Sequence, residues 1–191
     1  MLLKRRPPRI DNKRPATPSP EFAHIDEKAV AVVRWLNANR VDYVLVGPVA
    51  EAVRGKGRSS GPVVVVPAPY RRNFERLARA LWASHARLRV DGPEQGQPDT
   101  WPVKLTAEKL GRGHRWRLRC GAHDLDIEGH PEGAPRYQEL LYEATRVELA
   151  DGVRVEVASP EDVERYDYIR RTGTAPEIRI KREQRVETEP R

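Results

Sequence analysis

Apolar residues at helical spacing follow Asp26 and predict the first helix of the chain. Val30, Val33 and Leu36 fall on one side of such a helix. Asp26 is a favoured capping residue, and the pattern ends near Asn39. Ordered structure is therefore predicted to begin at Asp26.

Two β-rich runs come next and alternate with helical patterns. VDYVLVG predicts a short strand that ends in glycine, and PVAEAVRG predicts a short helix with proline at its first position. PVVVVP is apolar on both faces, which is typical of a strand in the middle of a sheet. YRRNFERLARALWASHA carries an apolar stripe and predicts an amphipathic helix that covers the sheet.

A loop is predicted over residues 91–101, and a hairpin after it. HRWRLRC and HDLDIEG both alternate, and the dipeptide GA between them predicts the turn. Because side chains alternate along a strand, Leu125 and Ile127 share one face of the second run and its acidic side chains share the other. These acids are Asp124, Asp126 and Glu128.

The last third of the chain predicts a helix, a hairpin and a second helix. RYQELLYEA has a helical pattern, and Asp151 with Gly152 turns the hairpin RVELADGVRVEV. Ser159 caps the final helix, which has Pro160 at its first position. Together the elements predict an α/β (α+β) fold with a mixed β-sheet flanked by helices.

Length and charge divide the chain into one domain and two tails. The 191 residues suffice for one domain with its own core, and the net charge of +7 lies at the two ends. Five prolines before residue 21 favour an extended chain there. We predict a disordered, basic, proline-rich tail over residues 1–22, a domain over 23–172 and a flexible tail over 173–191.

The basic N-terminal tail is a candidate contact for nucleic acid, although such blocks are more often solvated arms. The single cysteine, Cys120, cannot form an internal disulfide, and no run reaches the ~20 apolar residues of a membrane span. These features favour a cytoplasmic protein without a membrane partner.

Three stretches of the chain resemble the nucleotidyltransferase superfamily, in its polymerase-beta-like group with the AbiEii-type abortive-infection proteins. They are VDYVLVGPVAEAVRGKGRSS, LDIEGH and VELADGVRVEVASPEDVERY, which together cover most of residues 40–170. The resemblance implies a mixed sheet flanked by helices. It also implies magnesium-dependent transfer of a nucleotide from a triphosphate to a hydroxyl group, with Asp-x-Asp and a third acid as metal ligands.

Part of the family's nucleotide site matches this sequence. Gly47 corresponds to the first glycine of a pair whose second member is Pro48 here, and proline has no amide hydrogen to offer a phosphate. Gly55, Arg58 and Ser60 match the family's G-x-x-R-x-T turn, with serine in place of threonine, and Ser59 lies within this segment. The resemblance implies that Gly47 and this segment bind the nucleotide.

The metal-binding part of the family pattern is largely missing. The Asp-x-Asp positions fall on Pro62 and Val64, and the third acid corresponds to Asp126. A lysine that the family often carries in its last helix is replaced near Tyr166 or Asp167. Because proline and valine cannot coordinate magnesium, the sequence predicts a pseudoenzyme with a binding or regulatory role, and family context suggests a toxin-antitoxin or defence system.

Two alternatives remain open. An active nucleotidyltransferase could use Asp126 as its catalytic acid and Asp124, Asp126 and Glu128 as metal ligands, with His123 or His130 nearby and magnesium as cofactor. Against this, acids on a strand face are more often ordinary solvated surface. The other alternative is a basic-tailed nucleic-acid-binding protein. The predicted partners are a nucleotide, an RNA or a protein.

The tryptophans and one arginine add smaller expectations. Trp35, Trp82 and Trp116 are predicted to be mostly core residues, and Trp101 is predicted to cover the former cleft. Arg58 either clamps a phosphate or pairs with an internal carboxylate.

Overall fold

The computed structural model describes residues 6–10, 14–57, 61–90, 92 and 95–173. Within these residues it contains an eight-stranded mixed sheet and six α-helices, so the predicted α/β fold class is confirmed. The strands are β1 Tyr43–Val46, β2 Val63–Pro67, β3 Arg87–Arg89, β4 Thr100–Pro102, β5 Trp116–Cys120, β6 His123–Ile127, β7 Thr145–Ala150 and β8 Val153–Val157. The helices are α1 Glu27–Ala38, α2 Gly47–Val53, α3 Arg71–Ala83, α4 Ala107–Gly111, α5 Tyr137–Glu143 and α6 Pro160–Thr172, after a 3₁₀ turn at Pro20–Phe22.

Strands β2 and β6 lie at the centre of the sheet. The strand order is β4-β3-β5-β6-β2-β1-β8-β7. Strand β2 runs antiparallel to β1 and parallel to β6, and β1 runs parallel to β8. Every residue of β2 is buried, which confirms the prediction that the valine run is a central strand.

Helix starts and hairpin turns follow the sequence signals. The Asp26 carboxylate accepts a hydrogen bond of 2.8 Å from the Lys28 amide at the start of α1, and Asn39 caps its end. The Ser159 hydroxyl accepts one from the Asp162 amide at the start of α6. The hairpins β5–β6 and β7–β8 both form as predicted.

Helices cover the sheet and close its core. Helix α1 packs on β8, β6 and β2, whereas α2 packs on β1 and β2 and also against α6. Leu45, Leu118 and Leu125 are fully buried in the resulting core. None of the described helices has the length and apolar character needed to cross a bilayer.

The predicted disorder of the tail over residues 1–22 is not confirmed for its described part. Ala16 and Phe22 are buried, and the Ser19 amide donates a 2.8 Å hydrogen bond to the Leu149 carbonyl. These apolar side chains bind the segment to the domain, and the prolines keep it extended without preventing contact.

Three short elements were not predicted, and two tryptophan expectations are wrong. Strands β3 and β4 and helix α4 are too short to give a periodic signal, and β4 begins within the predicted loop. Trp82 is 70% exposed because it lies off the apolar stripe of α3. Trp101 is also exposed, and it pairs with Leu88 on the sheet face opposite Asp126, so it does not cover that side.

Candidate functional site

The predicted acids lie on one face of β6, in the middle of the sheet. Asp126 is in register with Val64 of β2 and with Arg117 of β5, whereas Leu125 is in register with Val63 and Leu118. Because paired residues project to the same side of a sheet, the Asp126 side chain lies on the same face as Val64. This alternation agrees with the sequence pattern.

Two of the three acids are buried, so their interpretation as ordinary solvated surface is wrong. Asp126 is 0% exposed and Glu128 is 6% exposed, while Asp124 is half-buried. Burial of a carboxylate is costly unless partners compensate its charge. The contacts around these acids therefore define the site.

Three guanidinium groups surround the Asp126 carboxylate. Arg89 donates to one oxygen at 2.9 Å, Arg170 donates to the other at 3.1 Å, and Arg115 lies 3.5 Å from that second oxygen. These arginines come from β3, α6 and the residue just before β5. Elements far apart in sequence thus converge on one buried negative charge.

The same arginines and Arg119 reach the neighbouring acids. Asp124 lies 3.1 Å from Arg89 and 2.9 Å from Arg119, which also lies 2.6 Å from Asp99. Burial alone would raise the pKa of Asp124, but the hydrogen bond from Arg119 and the charges of both arginines outweigh it and hold that pKa below its usual value. The bond to Asp124 in turn raises the pKa of Arg119. Asp124 is therefore a firmly ionised member of the cluster.

Glu128 is the least compensated acid of the site. Its oxygens lie 3.8 Å from Arg115 and 3.9 Å from Arg170, and Oε2 has no hydrogen-bond partner among the described residues. Burial raises the pKa of Glu128, and the two arginines lower it only in part. Its proton is thus held more tightly than that of an exposed glutamate.

The Arg170 guanidinium contacts Asp126 and lies next to Val64 and Gly47. A Cβ atom on Gly47 would lie 2.6 Å from Arg170 Nη1 and 2.6 Å from Val64 Cγ2, and Gly47 has a positive φ of 70°. Arg170 Nη1 is buried and has no hydrogen-bond partner among the described residues. Burial lowers the pKa of Arg170, although a guanidinium stays charged at neutral pH.

The described residues do not fit a divalent metal ion. They contain no group of three or more His, Cys, Asp or Glu side chains that could hold one. Asp124, Asp126 and Glu128 therefore do not form the predicted metal site in this arrangement. Arginines hydrogen-bond to Asp124 and Asp126, and the arginines nearest Glu128 lie 3.8 and 3.9 Å from its oxygens. His123 is buried and its pKa is lowered by burial, whereas His130 is exposed.

The remaining predicted residues divide into three groups. Gly47 starts α2 and lies against Val64 and Arg170, and its predicted nucleotide contact stays a prediction. Arg58, Ser59 and Ser60 lie outside the described residues, so their predicted nucleotide contacts stay a prediction. Tyr166, at the position suggested for a lost lysine, is buried and donates a 2.7 Å hydrogen bond to the Pro135 carbonyl.

Sequence reasoning missed the arginines of the site. Arg170 lies four residues after Tyr166, hence on the same side of α6, and that spacing was the available signal. Arg117 and Arg119 alternate with apolar residues in β5, but a basic strand face gives no indication of a buried acid opposite it.

Comparison of the chain with models of known protein families and with curated proteins gives no match.

Proposed function

We propose that this protein is a nucleotidyltransferase-like domain that has lost catalysis and acts by binding. The strand arrangement supports the resemblance: β1 leads into α2 at Gly47, and β2 and β6 run parallel with Val64 beside Asp126. A carboxylate at position 64 of β2 would project to the same face as Asp126, and this position carries a buried valine.

One observation carries the proposal, namely the place of the Arg170 guanidinium. It contacts Asp126 at 3.1 Å and lies against Gly47 and Val64, where the resemblance expects a divalent cation between the acids and the phosphates. A guanidinium supplies a positive charge and hydrogen-bond donors, but unlike a metal ion it has no coordination position at which an attacking hydroxyl or water could be activated. The charge of the site is thus balanced without a group that can activate a nucleophile.

A binding role follows from what remains. The cluster holds the central strands and helix α6 in a fixed arrangement, which is a suitable scaffold for a protein, nucleotide or RNA contact. By analogy with the family context, the partner belongs to a toxin-antitoxin or defence system.

A transfer assay tests the proposal. Wild-type protein is incubated with each labelled nucleoside triphosphate, magnesium or manganese, and total RNA or protein. Three variants accompany it: Pro62→Asp with Val64→Asp, the same pair with Arg170→Ala, and Arg170→Ala alone. Circular dichroism and unfolding curves establish that each variant folds.

The proposal predicts no transfer by the wild type or by Arg170→Ala alone. The double variant should stay inactive, since the new carboxylate at position 64 meets Arg170. The triple variant alone has both the acids and the space left by the guanidinium. Transfer by the wild type that disappears in Asp126→Asn would overturn the proposal and favour a rearranged active site.

A further inference from the structure

The outer side of helix α3 carries exposed arginines without acidic partners. Arg72 and Arg79 lie seven residues apart, hence on the same side of the helix, and both are exposed. Within the described residues neither forms an ion pair or a side-chain hydrogen bond, whereas Arg71 pairs with Glu75 at 3.0 Å. Two positive charges on this side of α3 are therefore available to an external anion.

Positive charge is concentrated in this part of the domain. Residues 70–88 contain five arginines and one acidic residue, Glu75, which gives a formal charge of +4. Residues 21–177 taken together have no net formal charge, so the charge of this segment is a local excess. A surface with an excess of one sign attracts ligands of the opposite sign. A polyanion is thus the class of ligand that this side of α3 suits.

At its C-terminal end the same side of α3 leads to a small cavity with an aromatic side chain beside it. Trp82 follows Arg79 by three residues, lines the cavity and is 70% exposed. The cavity measures about 180 Å³, and Leu81, Pro102 and Val103 form an apolar wall. Pockets that enclose a whole small-molecule ligand measure ~300–1,000 Å³, so only part of a ligand, such as one ring, can enter here.

Polar side chains lie beside this apolar wall. His85 and Arg87 also line the cavity, and both are exposed. Arg87 donates hydrogen bonds to the Thr100 hydroxyl at 2.9 Å and to the Thr100 carbonyl at 3.3 Å, which hold its guanidinium against β4. A flat ring beside Trp82 therefore has polar groups at hand for the nitrogens and carbonyls at its edge.

These features match single-stranded nucleic acid. Proteins that bind it without sequence preference combine cationic side chains that follow the phosphate backbone with aromatic rings on which unpaired bases stack. Arg72 and Arg79 supply the charges, and Trp82 supplies the ring. The helix rises about 15 Å from Arg72 to Trp82, so the three side chains follow a few nucleotides of an extended strand. A duplex keeps its bases stacked on one another and offers Trp82 no free base face.

We propose that the α3 face, defined by Arg72, Arg79, Trp82 and the cavity beside Trp82, binds single-stranded nucleic acid. Phosphate groups lie on the two arginines, and one unpaired base stacks on the indole ring. This inference does not rest on the proposed loss of catalysis, because it concerns other residues and its assay measures binding without transfer. The basic ends of the chain also attract nucleic acid, and the stacked base distinguishes the α3 face from them.

The test measures how tightly the full chain binds a fluorescently labelled uridine RNA of about ten nucleotides, by anisotropy. A thymidine DNA strand and an RNA duplex of the same length are measured beside it. The variants are Trp82→Ala, Trp82→Phe, and Arg72→Gln combined with Arg79→Gln. The controls are Tyr142→Ala, which removes a ring that is 88% exposed on α5, and Arg171→Gln, which removes an arginine that is 67% exposed on α6.

Trp82→Ala should weaken single-strand binding about 5- to 100-fold, the effect of one stacked base, and Trp82→Phe should retain part of the affinity. Duplex binding should not respond to either change. Each phosphate contact contributes about 0.7 to the slope of log affinity against log salt concentration, so the double arginine variant should reduce that slope by about 1.4. Both controls should bind as the wild type does. Whichever of the RNA and DNA strands loses affinity in Trp82→Ala is the polymer that the α3 face binds.

Four results would overturn the proposal. The first is the absence of saturable single-strand binding to the wild type at low salt. The second is single-strand binding that neither Trp82→Ala nor the double arginine variant weakens, which would assign the affinity to the basic ends. The third is an equal loss of duplex binding in Trp82→Ala. The fourth is a poly-glutamate peptide of equal charge that binds as tightly and depends equally on Trp82, which would assign the face to an acidic protein segment.

Discussion

Replacing Arg170 by methionine should destabilise the protein measurably, while the same change at its neighbour Arg171 should not. Methionine keeps much of the volume of the arginine side chain but removes the contacts at 3.1 Å to Asp126 and at 3.9 Å to Glu128. Within the described part of the chain Arg171 pairs with Asp167 one turn earlier, and its side chain is 67% exposed, so it is a matched control on the same helix.

The magnitude follows from what Asp126 retains. Removing one partner of a buried ion pair costs about 3–5 kcal/mol when the remaining charge is left alone. Asp126 keeps Arg89 at 2.9 Å and Arg115 at 3.5 Å, and the methionine side chain is easier to bury than a guanidinium. We therefore expect a loss of about 1–3 kcal/mol for Arg170→Met, and less than about 0.5 kcal/mol for Arg171→Met.

The pH dependence provides a second readout. The pKa of Glu128 is raised in the folded protein, so its contribution to stability is present below the ordinary glutamate pKa and is lost as pH rises through the raised value. Arg170→Met removes one of the two arginine charges that lower this pKa, so the stability that Glu128 costs at neutral pH should increase. Asp124 has the opposite pH dependence because its pKa is lowered: its contribution to stability is present at neutral pH and is lost as pH falls through that lowered value.

Urea unfolding of the wild type and both variants, at several pH values between 4 and 8, measures these free energies. The reasoning about the buried cluster would be refuted if Arg170→Met were as stable as Arg171→Met at every pH.

Three further predictions concern the same region and the core. Gly47→Ala should destabilise the protein by about 2–4 kcal/mol, because the new Cβ would lie 2.6 Å from two side-chain atoms and the residue has a positive φ. Arg170→Ala should relieve part of this loss in a double-mutant cycle, and additive effects would contradict the contact. Val64→Asp should lower the free energy of unfolding less when Arg170 is present than in the Arg170→Met background, by more than about 1 kcal/mol in urea unfolding. The reason is that Arg170 Nη1 has no hydrogen-bond partner among the described residues and can donate to the new carboxylate; equal losses in the two backgrounds would contradict this. Burial raises the pKa of Cys120 to about 12, so its thiol should not react with a disulfide reagent at pH 8 until urea unfolds the chain. Rapid reaction of the native protein would contradict this burial.

The sequence was sufficient where a pattern is local. The valine run, the two hairpins and the caps at Asp26 and Ser159 depend on neighbouring residues, and each forms as predicted. Strand β3 was missed because three residues carry too little pattern, and its place in the sheet depends on β5, which lies far along the chain. Local periodicity cannot indicate such a partner.

The site shows the same limit more clearly. Alternation along β6 correctly placed Asp124, Asp126 and Glu128 on one face, but it could not show that this face is buried. Burial there comes from α2 and α6, which pack together against the sheet. Arg170 could be connected with Asp126 only once the packing of α6 was known, since the two residues are 44 positions apart in sequence.

The buried arginines explain how Asp126 persists beside a strand without acids. A lone carboxylate in this core would be strongly unfavourable, so Asp126 requires positive charge beside it. Here Arg89 and Arg170 supply it from two directions, and the absent side chain of Gly47 leaves the space that Arg170 fills. Valine at position 64 and arginine at position 170 are therefore expected to be energetically coupled, since both lie beside Gly47 and Asp126 and a carboxylate at 64 would pair with the arginine.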